Sequence, residues 1–515
     1  MKHKFIAAGI LLLSVCTITL FYNSFKVEDK DNNVFAFLVN GVESLEIPND
    51  PSAYYISVDC TNGAEGTFDI YSGQFQFNNL TSTSYFKCNI NFRDKANLPE
   101  MDGKSSYWLL NGPEKERFAS LKFVNTNVVP SDADGSWDAS EQNNGKIMGW
   151  YYVNEDGLYE GFIGQEGSVL ANENSVLLLA GMTNLKSVDL TYLDTSNVIN
   201  MQHFFTGCHN LTTITGLTDT KKVTNMAFMF SECRSLKNLS FMNGWNTSKV
   251  TNMSNMFQNA TIQDFSHFVN LNTSNVADMS GLFYGIETLT DLNQIAGLNV
   301  SGITNTASMF TSTKIANVNL LSSWDMSKVT DISNMFYGIE TLTDISGLAN
   351  WDTSNVENMN AMFVYNKFTD TSALANWNTS KVKTMSALFW EVKLVNVEGL
   401  RNWNTTSVTD MSSMFYNTNI TIVEPLKDFL TQKVLNMRKM FYGCPITDGS
   451  SLDNWDLTGI ISSNYMQYYD PEFYGQQNPT YEMFSGTLRT NLPNWEGTKS
   501  DGRHYYWYSA VLRRS

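Results

Sequence analysis

Histidine is scarce in this chain. Only five occur in 515 residues, His3, His203, His209, His267 and His504, and none stands at metal-ligand spacing from another or beside a convincing nucleophile. A glycine loop of the phosphate-binding type is missing as well. The sequence therefore nominates no catalytic residue, and the expectation is a protein that is not an enzyme and holds no cofactor. Charge is thin. Charged residues make up 17%, and 51 acidic against 34 basic side chains leave a formal charge of −17. A field of that sign repels a phosphate backbone and an anionic leaflet alike, which argues against a nucleic-acid partner. Uncharged apolar runs long enough for a membrane stop after Tyr22. The C-terminal stretch Ser509 to Ser515 is too short and too charged for a second such segment, and no wall-sorting signal is visible there.

What is present is a repeat. The stretch Trp351 to Phe363, WDTSNVENMNAMF, returns with variations about eleven times. Aligned on its valine, the copies place Val198, Val223, Val250, Val276, Ile303, Val329, Val356, Val382, Val408, Val434 and Ile460 in register, at steps of 25 to 27 residues. A phenylalanine follows seven residues later in every copy but the last, from Phe205 to Phe441. A fixed period of this length implies a solenoid, an architecture whose usual work is to present a binding or structural surface. Hydrophobic residues at 42%, with Asn, Thr and Ser filling the surface in place of Lys and Glu, suit a large core under a long-lived extracellular face.

The rest of the chain frames that array. Lys2 and Lys4 precede the apolar run Phe5 to Tyr22, so residues 1–25 are expected to be a signal peptide or an uncleaved signal anchor, the one segment in contact with a membrane. Cys16 follows Leu13-Ser14-Val15, which approaches a lipoprotein box but has Val where a small residue is wanted. Residues 30–100 alternate in short runs such as Tyr54 to Val58 and Phe75 to Phe77, the pattern of a small all-β, sandwich-like domain. Cys60 and Cys88 lie in or beside such runs, and a disulfide between them is expected in an exported chain, the alternative being two buried thiols. Residues 101–184 read as an N-terminal cap and transition, 185–460 as the repeat array, and 461–515 as a C-terminal cap.

Each unit is expected to have two halves. In Leu342-Thr343-Asp344-Ile345-Ser346 the spacing is that of a leucine-rich-repeat strand, with Ile345 inward and Asp344 and Ser346 outward. Ser354 and Glu357 form a capping-box pattern ahead of Val356, Met359, Met362 and Phe363, which predicts one short helix per unit. The fold class is thus an α/β repeat, a leucine-rich-repeat-type curved solenoid with strands inside the curve and helices outside. Two residues after the valine, Asn or Asp recurs, as at Asn225, Asp278, Asp331, Asn358 and Asp410; this column is either a row of calcium ligands or a set of side chains bonded to neighbouring backbone. Trp245, Trp324, Trp351, Trp377, Trp403 and Trp455 form another column, either core or a sugar-stacking face. Cys208, Cys233 and Cys444 recur three residues after the phenylalanine and are expected as buried free thiols.

The motif WDTSNVENMNAMF, with the Leu342-Thr343-Asp344-Ile345-Ser346-Gly347-Leu348 run ahead of it, resembles the BspA-like bacterial surface proteins that carry 26-residue leucine-rich repeats. The resemblance covers about Gly181 to Gly459, and more loosely Gly135 to Leu179 and Pro493 to Gly502; residues 34 to 92 stand outside it. Thr306 and Ile332 replace the usual Met, and Gln467 replaces the phenylalanine of unit eleven. The resemblance implies an exported bacterial surface protein, extracellular or envelope-associated, engaged in adhesion or host contact.

The candidate interface is the pair of outward strand positions in every unit. Of these 22 positions eight are acidic and none is basic. Asp264, Asp291, Asp344, Asp370, Glu398, Glu424 and Asp448 are the candidate ligand-binding residues on a concave, acidic, hydroxyl-rich sheet, with an extracellular protein or glycan as partner. Two alternatives remain: a structural envelope protein that self-associates, and a carbohydrate-active enzyme using neighbouring carboxylates such as Asp344 and Asp370.

Overall fold

The computed structural model describes residues 112–140 and 144–457, together with the backbone of short strands on either side. The expected signal segment and C-terminal cap lie outside the fully described residues. In the region expected to be a small β-domain, strands Tyr54–Cys60, Glu65–Asp69, Gln74–Asn78 and Cys88–Asp94 form an antiparallel sheet in which Cys60 stands opposite Cys88. The side chains of both cysteines, and so the expected disulfide, lie outside what is described.

The first repeat is joined to its N-terminal neighbour through one sheet. Gly135–Asp138, Met148–Val153 and Tyr159–Gly164 run antiparallel; Phe118–Val124 then pairs parallel with Tyr159–Gly164 on one side and with Ser187–Asp189 on the other. Ser187–Asp189 in turn pairs parallel with Thr213–Thr215. Phe118 and Phe123, both fully buried, carry the core of this region into that of the repeats.

From there the units stack in parallel register. The residue two after each valine bridges its counterpart in the next unit, in an unbroken series from Asn174 to Asn436. The series begins at Asn174, one unit ahead of the expected boundary at 185. Inside, the phenylalanines lie ring on ring, Phe205 to Phe257 and again Phe283 to Phe441, with centroids 5.5 to 6.0 Å apart. Phe265 and Phe268 fill the interval edge-on between Phe257 and Phe283. Each such ring contributes about 1.5 to 3 kcal/mol on burial. The six tryptophans of the repeat column are core as well, at most 7% exposed. Five of them donate Nε1–H to a carbonyl of the preceding unit, as Trp351 does to Leu321 O at 2.9 Å.

Two expectations need correction. The helical half of each unit does not form: from residue 112 to 457 no α-helix occurs among the described residues. Val356, Met359, Met362 and Phe363 do point inward at helical spacing, but the backbone between them runs through tight turns. Ala361 and Tyr365 adopt φ of 54° and 65°, and the same two places are left-handed in most other units. The N–H groups of Met359, Ala361, Phe363 and Tyr365 donate to Thr384, Ser386, Leu388 and Trp390 of the next unit, while those of Met362, Val364 and Asn366 close turns inside their own. A helix keeps every N–H within one segment; stacking takes every second one for the neighbour. Ser354 is not a helix cap, because its own N–H donates to Asp352 Oδ1, and Glu357 pairs with Lys383 of the next unit.

The second correction concerns the strands. At the expected strand positions, Ser187–Asp189 and Thr213–Thr215 run as strands; in most later units these positions make at most a single parallel bridge, followed by a short 3-10 helix such as Ser346–Leu348 or Glu398–Leu400. The cause is the outward Asp or Asn, whose side chain accepts from the N–H two residues on and turns the chain out of the extended state. The architecture is a helix-poor run of tandem repeats, sheet-like in its pairing, with no closed barrel among the described residues.

Candidate functional site

Up to three side-chain oxygens bend each unit. In the unit around Val356 they belong to Asp344, Asp352 and Asn358, whose Oδ1 atoms accept from the backbone N–H of Ser346, Ser354 and Asn360 at 2.9 to 3.0 Å. The equivalents recur along the array, at Asp264, Asp291, Asp370 and Asp448 for the first corner and Asp278, Asp331 and Asp410 for the third. Asn does this work as well as Asp, since both offer the same oxygen. That equivalence explains why the two alternate in the column considered for calcium. No two carboxylates occupy neighbouring units there: Asp331 meets Asn358 and Asp410 meets Asn436, with amide Nδ2 donating to the spare Oδ2 in each pair.

Carboxylates do occur in neighbouring units at the first corner, which is the candidate face. Asp264, Asp291, Glu398 and Asp448 are exposed, and Asp344, Asp370 and Glu424 are half-buried. Parallel bridges link Asn238 to Asp264, Asn317 to Asp344, Asp370 to Asn396 and Ile422 to Asp448. Asn319 and Asn396 donate Nδ2–H to Asp344 Oδ2 at 3.1 Å and to Asp370 Oδ2 at 2.6 Å. Glu398 and Glu424 differ from the rest. Arg401 bonds both of them and Lys427 adds a pair to Glu424, so at this end the acids are ion-paired by basic groups from outside the 22 positions. The Arg401 and Lys427 partners hold Glu424 down to about 2. Neither lysine nor arginine of this pair sits in the strand positions that alternation assigned; both sit on the 3-10 turn that follows, which the strand pattern could not reveal.

The hydrogen bonds donated by Ser346 keep Asp344 below the usual carboxylate range, and those donated by Ser266 do the same for Asp264. Burial pushes the Asp370 carboxyl up, but the bonds from Ser372 and Asn396 outweigh it and it too ends below the usual carboxylate range. Asp344 and Asp370 are thus displaced in one direction by like environments. A glycosidase pair needs its two carboxyls pushed apart. Because the folded values lie below the unfolded one of about 3.9, the corners stabilise the fold fully above that pH and lose their contribution as pH falls through the lower folded values. The melting temperature is expected to stay level from pH 7 to about 5 and to fall below about 4. Thermal melts across that range check this; a decline already complete at pH 5 would contradict it.

Cys208, Cys233 and Cys444 are fully buried free thiols. Each Sγ–H donates to a carbonyl of the preceding unit, and burial pushes Cys208 up to about 12 and Cys444 to about 11, so none is a reactive thiolate.

A family model described as Mycoplasma protein of unknown function, DUF285, matches residues 176–289, 261–373 and 364–479, which together span more than half of the chain. The chain belongs to the DUF285 family. Each match overlaps the next, and both overlaps, 261–289 and 364–373, fall inside the continuous bridge series, so the DUF285 matches mark about four stacked units each and not separate domains. No curated protein matches the chain. The DUF285 repeats account for the corners and the core, and the family description leaves the exposed columns without an assigned role.

Proposed function

We propose that this DUF285 chain is an exported bacterial surface protein of the BspA-like, leucine-rich-repeat kind, a curved solenoid that binds an extracellular protein or glycan through its acidic, hydroxyl-rich face and catalyses no reaction. One observation carries the reading. Carboxylates are kept out of neighbouring units at the third corner, where Asn serves equally well, yet stand in neighbouring units at the first, Asp264 beside Asp291 and Asp344 beside Asp370. The turn needs only an oxygen, which Asn supplies at the third corner, so the added negative charge of the first corner is what that face can offer a partner. A basic protein segment or a hydrogen-bonding glycan fits such a face, held by many weak contacts and drawn in faster at low salt.

The test is to label intact cells with an impermeant reagent and to apply the full chain to an array of matrix proteins and glycans. Surface labelling and a retained partner whose binding weakens with salt are expected. Failure of every surface to retain the chain, with light scattering that rises with its own concentration, would replace this reading with a self-associating envelope component.

A further inference from the structure

Charge in this acidic chain is sorted by column. The position just before the valine holds Lys222, Lys249, Lys328, Lys381 and Lys433, and in the other units up to Val434 it holds Asn, Gly or Ser. No acid occurs in that column. All five lysines are exposed. They lie on one line, because contacts run from each unit to the last along the column: Lys222 Nζ donates to Asn197 Oδ1 at 2.7 Å, Lys328 Nζ to Ser301 O at 2.9 Å and Lys381 Nζ to Asn355 Oδ1 at 2.5 Å.

Those contacts do not require a charge. Asn275 and Asn355 occupy the same column and donate Nδ2–H to Ser248 O and Ser327 O, at 2.7 and 2.6 Å, the same kind of carbonyl that Lys328 uses. An amide therefore ties the units together as well as an ammonium does, and each bonded ammonium keeps two further donors. Neighbouring lysines off the line are neutralised, Lys221 by Asp219 and Lys383 by Glu357. Parallel units rise about 4.8 Å each, so the eight steps from Lys222 to Lys433 cover about 38 Å, and Lys328, Lys381 and Lys433 follow one another at intervals near 10 Å.

We infer that this lysine line is a docking track for a linear anionic polysaccharide, one with sulfate or carboxylate groups at intervals near 10 Å, lying along the stack with its hydroxyls against the adjoining Ser and Thr side chains. The ligand must be narrow. Asp325 and Asp352 flank the line at the neighbouring corner, and a single extended chain lies on one column without meeting them, whereas the broad acidic face of a second copy would press carboxylate on carboxylate. Duplex nucleic acid presents two phosphate rows to a surface with one row of cations. The inference does not rest on the acidic face being a binding surface.

The probe is immobilised heparin, with the full chain titrated over it at several salt concentrations. The intact protein is expected to bind with an affinity that falls steeply with salt. The triple variant Lys328→Gln, Lys381→Gln, Lys433→Gln keeps the hydrogen-bonding stems and its melting temperature, binds at least about tenfold more weakly, and loses about two to three from the slope of log affinity against log salt. Lys381→Gln alone loses about two- to threefold. Lys237→Gln, Lys314→Gln and Lys367→Gln together, which lie outside the lysine column, change nothing. No binding by the intact chain, equal losses from both triple variants, or competition by duplex DNA as strong as by free heparin would overturn the proposal. So would a concentration-dependent increase in mass that the first triple variant abolishes while heparin binding persists, since the line would then face a second copy.

Discussion

Replacing Phe336 with alanine is expected to destabilise the array by about 4 kcal/mol, within the ~3 to 5 kcal/mol that a buried phenylalanine usually costs. The ring is fully buried and lies between Phe310 and Phe363 at 5.8 and 5.9 Å, with interplanar angles of 2° and 10°. Its removal opens a void that stiff neighbours cannot close, because each is tied to the next unit through its own backbone: Phe310 N–H donates to Met335 O and Phe336 N–H to Met362 O. Stacked units also depend on their neighbours for stability, so the loss spreads along the series and is not confined to one coil. Denaturant melts monitored by tryptophan emission read the effect, since Trp324 and Trp351 lie against Phe310 and Phe336. A loss under about 1 kcal/mol would mean that the phenylalanine stack is not the core of the array.

Gly399→Ala should cost about 3 kcal/mol by a different route. Its glycine lies so close to the preceding unit that an added methyl would stand 1.9 Å from Thr371 O and 2.9 Å from Ser372 N, both backbone atoms with no rotamer to yield. Gly347 meets Val318 O in the same way at 2.1 Å. Gly297 is the control. It has nothing within 4 Å, so Gly297→Ala should leave stability unchanged or raise it by a few tenths of a kcal/mol. Equal effects at the two glycines would show that the units are not packed backbone to backbone at this corner.

The period, the phenylalanine and tryptophan core and the buried thiols were legible from the sequence because they depend on which residues recur, not on how the backbone joins them. That a chain of turns stands where a helix was expected was not legible from the same facts. Inward residues at Val356, Met359, Met362 and Phe363 suit a helix and equally suit a chain of turns, and only the polar residues between them separate the two. A signal did exist there. Two residues after the phenylalanine six units carry Gly or Asn, at Gly207, Asn259, Gly285, Gly338, Asn417 and Gly443, and all six adopt positive φ. A recurrent Gly or Asn in mid-helix is unfavourable, whereas at a left-handed position it is the expected choice. The candidate face shows the same division. Alternation placed Asp344 and Asp370 outward, where they are, but treated Asp as a surface residue when its Oδ1 is a structural acceptor. A period-two reading also had no place for Arg401, which reaches Glu398 and Glu424 from a 3-10 turn.

Because the turns use Oδ1, the charge of the acidic face can be removed while each turn keeps its acceptor. Changing Asp291, Asp344 and Asp370 together to Asn removes three charges and keeps the oxygen that accepts each turn's N–H. The measurement is affinity of the triple variant for the partner retained on the array, at two salt concentrations, beside its melting temperature. The expected result is a melting temperature lowered by a few degrees at most, because each turn keeps its acceptor while Asn319 and Asn396 lose the Oδ2 of Asp344 and Asp370, together with weaker binding and a flatter salt dependence. Normal binding by this variant, with binding lost instead when Lys249 and Lys381 are changed, would place the interface on the lysine line and contradict the assignment of the acidic face.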